Sequence, residues 1–512
     1  MKKLSYLLIS LATLLLMGSC EKGFLNVNTN PNSPTAVNAG VVLSNDLYQM
    51  ASAYSTGLSQ FLGFWMGYWS RSGNYIPDNA TETYEISPGY SYSETFWQTM
   101  YHINLDLNYV QKQAIKDKDP FFEGVSKILM SCNYARLVDV YNDIPYTQAL
   151  DISNISPKYD DAATVYKDLF SQVDSGIALI QTASGSNYTS TLAADAPFDI
   201  MFGGNTSEWM QFANTLELKM LLNLSQDASM SSFISSQIAK ITADGAGFMM
   251  AGTSALVNPG YINTNGKQNP FYGFYGFTAT GTPAGQNAYF RANNYAVTFS
   301  TVTNDPRLSF FFAPTSSAFS SNTDTVSGNN QGDPNALSNS NTSGFGPGLL
   351  GTATSSTPVL PDFESLFLQS EAALRGWIPG DPQQFYQQAI AQSFAYEGVS
   401  GNDSANAATY YSQNMKDVEW PSGGTFNDKL ETIIKQKWVA LDGVDILEAW
   451  NDYRRLDLPA DVPLSSNPHL TMKQIPVRLL YPQTEIDRNP NNVPAGGKGT
   501  NAQFTGKIFW MP

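Results

Sequence analysis

The chain has 512 residues, a formal net charge of −16, and 14% charged against 13% aromatic side chains. Without a basic stripe for phosphate contacts, the acidity argues against nucleic acid as a partner. With only His102 and His469, and Cys132 as the one cysteine beyond Cys20, there is little material for histidine triads, His-rich zinc sites or a disulfide framework.

The first element is a targeting segment. Lys2 and Lys3 precede an apolar run from Leu7 to Met17 that is too short to span a bilayer, and the small residues Gly18 and Ser19 lead to Cys20. Residues 1–19 read as a signal peptide, and Met17-Gly18-Ser19-Cys20 resembles a bacterial lipobox whose cysteine is acylated. The alternative is a soluble secreted protein with an incidental cysteine. Two or more acyl chains anchor stably, since each buried methylene contributes about 0.8 kcal/mol. Residues 20–40 are Asn/Pro-rich and read as the lipidated cysteine plus a flexible tether, with the body over 41–512.

Helical periodicity follows. Phe121 to Tyr141 carries Val125, Leu129, Cys132 and Val138 on one face, which makes Cys132 a core thiol. A second helix runs from about Ala162 to Gln181 behind Asp161 as N-cap, and a third from about Glu208 to Ser225. Asp362 opens a helix closed at Gly376, and Asp381 with Pro382 opens one ending near Gly398. Asn427 is placed as the cap of a helix with Leu430, Ile434, Trp438 and Leu441 inward. The helical scaffold therefore lies mainly over 41–240 and 360–456, around a loop-rich insert of about 245–357. Within that insert, 313–357 is a Ser/Asn/Gly/Thr tract that no core would retain. Long loops on a rigid scaffold are where function is expected.

Two aromatic stretches are candidate ligand sites, because sugars present apolar C–H faces and hydroxyl edges that suit flat rings beside polar side chains. Phe61, Trp65 and Tyr68 keep core spacing. Trp69, Arg71, Asn74 and Tyr75 lie at or past the passage into a Gly/Asn loop and are the binding candidates there. Tyr272 and Tyr275, alternating with glycine, are the second pair, with an inward-packed glycine-kinked segment as the alternative.

The helical segments also carry a family pattern. Tyr134-Ala-Arg-Leu-Val-Asp-Val-Tyr-Asn-Asp-Ile-Pro-Tyr146 with Pro157-Lys-Tyr-Asp-Asp161 resembles the SusD/RagB family of Bacteroidetes outer-membrane lipoproteins. Trp209 to Asn214, Asn304 to Leu308, Ser370 to Trp377, Gln436 to Trp438 with Glu448 to Arg455, and Pro476 to Glu485 agree in order, over nearly the whole chain. The resemblance implies a mainly α fold, a tetratricopeptide-like helical-hairpin scaffold with a loop-rich irregular ligand-binding lobe. It implies a non-enzymatic lipoprotein of the outer membrane, facing outward. Such a protein captures an oligosaccharide or another small nutrient and passes it to a TonB-dependent SusC-like transporter. Glu21-Lys22 departs from the acidic export signal of many surface-exposed members.

No catalytic residue, cofactor or metal ligand is assigned. The recurrent motifs read as structural: Arg454 and Arg455 beside Asp452, and Glu448 near Trp450, form ion pairs between helices, Arg307 caps a turn, and His102 is a packed polar residue. Rival readings are an extracellular glycoside hydrolase, which needs two carboxylates about 5 to 10 Å apart, and a structural surface lipoprotein or adhesin.

Overall fold

Helix starts are set by short polar side chains that satisfy the first free N–H groups. A computed structural model describes residues 37–315, 325–399, 403–499 and 501–512; the expected signal peptide, Cys20 and most of the tether lie outside the described residues. Helix α1 (Ala39–Thr56) begins where Asn38 accepts from the Gly40 N–H at 2.8 Å, so helix already occupies the last residues assigned to the tether. After α2 (Ser59–Trp65) and the single turn α3 (Asn79–Glu82) come α4 (Ser91–Asp117) and α5 (Pro120–Tyr141). They are joined by Lys118 in the left-handed region and Asp119, whose carboxylate accepts from Phe121 N–H at 2.9 Å ahead of Pro120 at the first helical position. Next are α6 (Ala162–Ala183), capped by Asp161 as its sequence predicts, α7 (Thr206–Asn223) and α8 (Ser231–Asp244). The later group is α9 (Asp362–Leu374), α10 (Pro382–Glu397), α11 (Phe426–Ala440) and α12 (Ile446–Leu456). Neighbouring helices pack as pairs, α4 on α5, α5 on α6, and α9 on α10, while α12 returns to α2.

One expected cap moves, and Asp362 opens its helix as the sequence predicts. The cap of α11 is Thr425, two residues before Asn427, in a reciprocal box with Asp428. Asp362 is the first helical residue of α9, and its carboxylate accepts from Gly252 N–H at 2.7 Å, fastening the insert to the scaffold.

Buried ion pairs hold the helices together. Arg136 on α5 grips Asp445 through two bonds of 3.2 and 2.6 Å, and Lys219 on α7 reaches Glu364 at 2.6 Å and Asp445 at 2.9 Å. Lys437 on α11 bridges Glu448 and Asp452, and Arg455 joins Asp452 to Glu371 on α9. The ion pairs expected at Asp452, Arg455 and Glu448 are thus part of a five-helix network. Arg454 instead donates to the Asp139 and Val477 carbonyls and stacks over Trp450. Arg307 does more than cap a turn: wholly buried, it binds Asp305 at 2.7 Å and reaches Ser393 and Gln436. Cys132 is a buried free thiol beside the Tyr54 hydroxyl. His102 is exposed rather than packed, because Met100 and Ile103 take the inward face of α4.

The insert contributes small antiparallel pairings. Strand β1 (Trp69–Arg71) pairs with β2 (Phe290–Ala292), and Ala255–Val257 pairs with Thr357–Leu360. The polar tract is partly core after all: Asn329, Gln331, Thr342 and Ser343 are buried. Asn329 shows the reason, since its amide donates to the Arg71 and Leu337 carbonyls and its oxygen accepts from Leu337 N–H. A polar side chain is retained there because it satisfies loop backbone.

Candidate binding recess

The β1–β2 ladder carries the loop that follows β1. Gly73 donates its N–H to the Leu337 carbonyl at 2.8 Å, and a Cβ at Gly73 would stand 1.8 Å from the Ala336 oxygen, so only glycine permits this approach. Asn74 then accepts from Asn339 N–H at 2.7 Å. Arg71 fastens the same loop from below: buried, it pairs with Glu82 at 2.6 Å and donates to the Ser72 and Tyr75 carbonyls.

The loop forms one wall of a recess of about 620 Å³. Its aromatic walls are Tyr75, Tyr90, Tyr92 and Tyr289, over a floor that includes Phe64 and Phe290. Tyr75 meets Tyr289 edge to face at 5.1 Å, and Tyr90 meets Tyr92 at 5.6 Å. Gln60, Asn74 and Gln286 add amides, Asp78 a carboxylate, and Ile76 an apolar lip that is 89% exposed. Asp78 Oδ2 accepts from the Tyr90 hydroxyl at 2.9 Å and from Thr81 Oγ1 at 3.0 Å. Burial first, and Asp78 second, push the Tyr92 phenol above its usual range.

Six sequence-derived candidates are divided by this geometry. Asn74 and Tyr75 line the recess. Arg71 is a positioning residue behind it. Trp69 is fully buried; Gly63 leaves room for its ring, its Nε1 donates to Asp442 at 2.8 Å, and it packs at 5.6 Å from Phe290, supporting the floor from the far side. Tyr275 is also fully buried, hydrogen-bonded to Ser59 within a wide π-helical turn over Tyr272–Gly276. Tyr272 is half-buried against Phe277 and does not line the recess. Trp69, Arg71 and Tyr275 therefore present no surface to a ligand in this structure. This corrects their reading as direct contacts: the ring and guanidinium hydrogen bonds are satisfied inside the protein.

Tyr90, Tyr92, Tyr289, Gln286 and Asp78 escaped sequence reasoning. Ser87-Pro88-Gly89-Tyr90-Ser91-Tyr92 did hold a signal, a Pro-Gly turn followed by alternating tyrosines at the start of a helix. Nothing local marks Tyr289, which reaches the loop through strand pairing across more than two hundred residues.

A second recess of about 690 Å³ lies between Tyr453–Leu458, Phe426 and the Met511–Pro512 end. Arg455 on its wall is already engaged by two carboxylates, and the recess offers fewer aromatic faces. Among the described residues no group of three or more His, Cys, Asp or Glu side chains could hold a metal ion, and no helix is long and apolar enough to cross a membrane.

The SusD-like family model, described as "Starch-binding associating with outer membrane", matches residues 31–482. No curated protein matches the sequence. Among solved structures, a SusD-like protein from Bacteroides thetaiotaomicron superposes with a TM-score of 0.73 at 22% identity, covering 92% of this chain and 98% of that one. A chitin-binding SusD homologue from Flavobacterium johnsoniae gives 0.69 at 21% identity over 89% and 93%. A SusD homologue from Bacteroides fragilis gives 0.71 at 20% over 93% and 99%. These likenesses share the fold, with its mainly helical, tetratricopeptide-like scaffold.

Proposed function

We propose that this chain, which belongs to the SusD/RagB family, captures oligosaccharides in the Tyr75–Tyr289 recess as a lipid-anchored outer-membrane protein. The observation that carries the reading is the convergence of four tyrosine rings with three side-chain amides around one open recess. Rings take the apolar faces of sugars, amides and the Asp78 carboxylate take hydroxyls, and the loop is fixed in advance by Gly73, Asn74 and Arg71. A preformed site loses less ordering entropy on binding. The family description and the chitin-binding relative support a carbohydrate ligand.

Cys20 is the anchor in this reading, and the surface-exposed body delivers its ligand to a TonB-dependent SusC-like transporter. Binding is favoured over hydrolysis because Asp78 is the sole carboxylate on the recess wall, and its nearest acidic neighbour in sequence, Glu82, is locked to Arg71. Hydrolysis calls for an acid and a second carboxylate flanking the bond.

The test is a glycan array with the purified body, followed by incubation of each bound glycan. Retention without release of reducing sugar is expected. Turnover abolished by one carboxylate substitution would establish a hydrolase instead. Native-membrane purification should bring down a large β-barrel transporter; recovery of the lipoprotein alone would favour an adhesin.

A further inference from the structure

We infer that the recess selects neutral oligosaccharides and turns away glycans bearing carboxylate or sulfate groups, and that Asp78 imposes the choice. The inference rests on the capture reading of the same recess.

Among the lining residues Asp78 is the single ionisable acid, and none is Lys, Arg or His. Its carboxylate has two hydroxyl donors, Tyr90 and Thr81, and no ion-pair partner. Arg71, behind the loop, is buried and spent on Glu82 and on loop carbonyls. Arg291, beside Phe290, is buried, donates to the Asn287 carbonyl and does not line the recess; its guanidinium lies behind Tyr75, on which it acts electrostatically.

An acidic group entering here would shed hydration, meet a like charge and find no cation on the lining. That combination opposes binding and so creates specificity by repulsion. A neutral polyol meets the reverse situation, because its hydroxyls can donate to an ionised carboxylate in charge-assisted bonds. The wall tyrosines register the same negative field: burial foremost, then Asp78 and Glu82, hold the Tyr289 phenol above its ordinary range. The net charge of −16 adds a long-range bias of the same sign.

The experiment is an array of matched glycans, in which neutral oligomers are printed beside their uronic-acid and sulfated counterparts, probed with wild type and Asp78→Asn. Asparagine keeps the volume and capping ability of Asp78 at α3. Wild type should bind neutral glycans alone, and in Asp78→Asn the ratio of acidic to neutral binding should rise at least tenfold. As a second arm on wild type, raising NaCl from about 20 to about 500 mM should strengthen any residual acidic binding by screening. A wild-type preference for uronic-acid or sulfated glycans, an unchanged ratio in Asp78→Asn, or acidic binding that weakens with salt would overturn the inference and leave capture standing. No binding to any glycan would overturn the capture reading, and this inference with it.

Discussion

Trp69 and Tyr75 stand on one short segment and face opposite ways. Trp69 closes the core beneath Phe290, whereas Tyr75 is 39% exposed on the recess wall. Trp69→Ala should therefore cost about 3–5 kcal/mol of stability, as large aromatic deletions in cores do. Tyr75→Ala should change stability by no more than about 0.5 kcal/mol. Denaturant unfolding of both variants checks this, and equal losses would refute the division. Sequence alone made both residues binding candidates, because aromatics at the passage from helix into a Gly/Asn loop look alike until burial is known. What separated them was a space at Gly63 and an acceptor at Asp442, contributed by different parts of the chain. Asp442 makes its own prediction. Burial raises its carboxyl to about 8, so the folded state keeps a proton that the unfolded chain sheds near 3.8. Its contribution is complete below about 4 and is lost as pH rises toward 8. Asp442→Asn keeps an acceptor for Trp69 and should flatten the fall in stability across that window; an unaltered slope would place the proton elsewhere.

At the scale of elements, the recess depends on two loops fastened to each other and on helices fastened beneath them. Gly73→Ala puts a methyl into the Ala336 carbonyl, so the 329–339 segment must shift and Asn74 must lose its bond to Asn339. Ligand affinity should fall about tenfold or more by titration calorimetry while the helical circular dichroism stays unchanged; full affinity would show that the loop register is not what organises the site. Deeper in the scaffold, Arg136→Ala removes one side of a buried bidentate pair and leaves Asp445 with Lys219 alone. Losing one partner of such a pair costs about 3–5 kcal/mol, measurable by chemical denaturation, and a loss below about 1 kcal/mol would mean that Lys219 compensates. Helix starts were legible where one residue does the capping, at Asp161 and at Asp381 with Pro382. Thr425 was missed because its box partner is Asp428 rather than Glu or Gln, and Asn427 offered a competing cap. The ion network was legible only within α12, since Arg136 and Asp445 are joined by folding and not by spacing.

The molecule as a whole buries carboxyls of two kinds. Asp46, Asp195 and Asp442 are pushed up to about 8, 7 and 8, mainly by burial. Glu371 is also buried, which opposes its charge, yet Arg455 and Arg375 hold it at about 2. The raised group adds stability that fades as pH climbs from about 4 to about 8, and Glu371 adds stability present above about 4.5 and lost toward about 2. Thermal unfolding should accordingly peak between about pH 3 and 4 and decline toward pH 8; a midpoint that rises steadily to pH 8 would contradict the assignment. In the proposed reading, the scaffold that tolerates these charges holds the Tyr75–Tyr289 recess open at its surface. Titration of wild type and of the Tyr75→Ala/Tyr289→Ala double variant with the strongest glycan found on the array tests that claim most directly. A loss of more than tenfold, at least about 1.4 kcal/mol, is expected with the helical circular dichroism unchanged, whereas undiminished affinity in the double variant would contradict that claim.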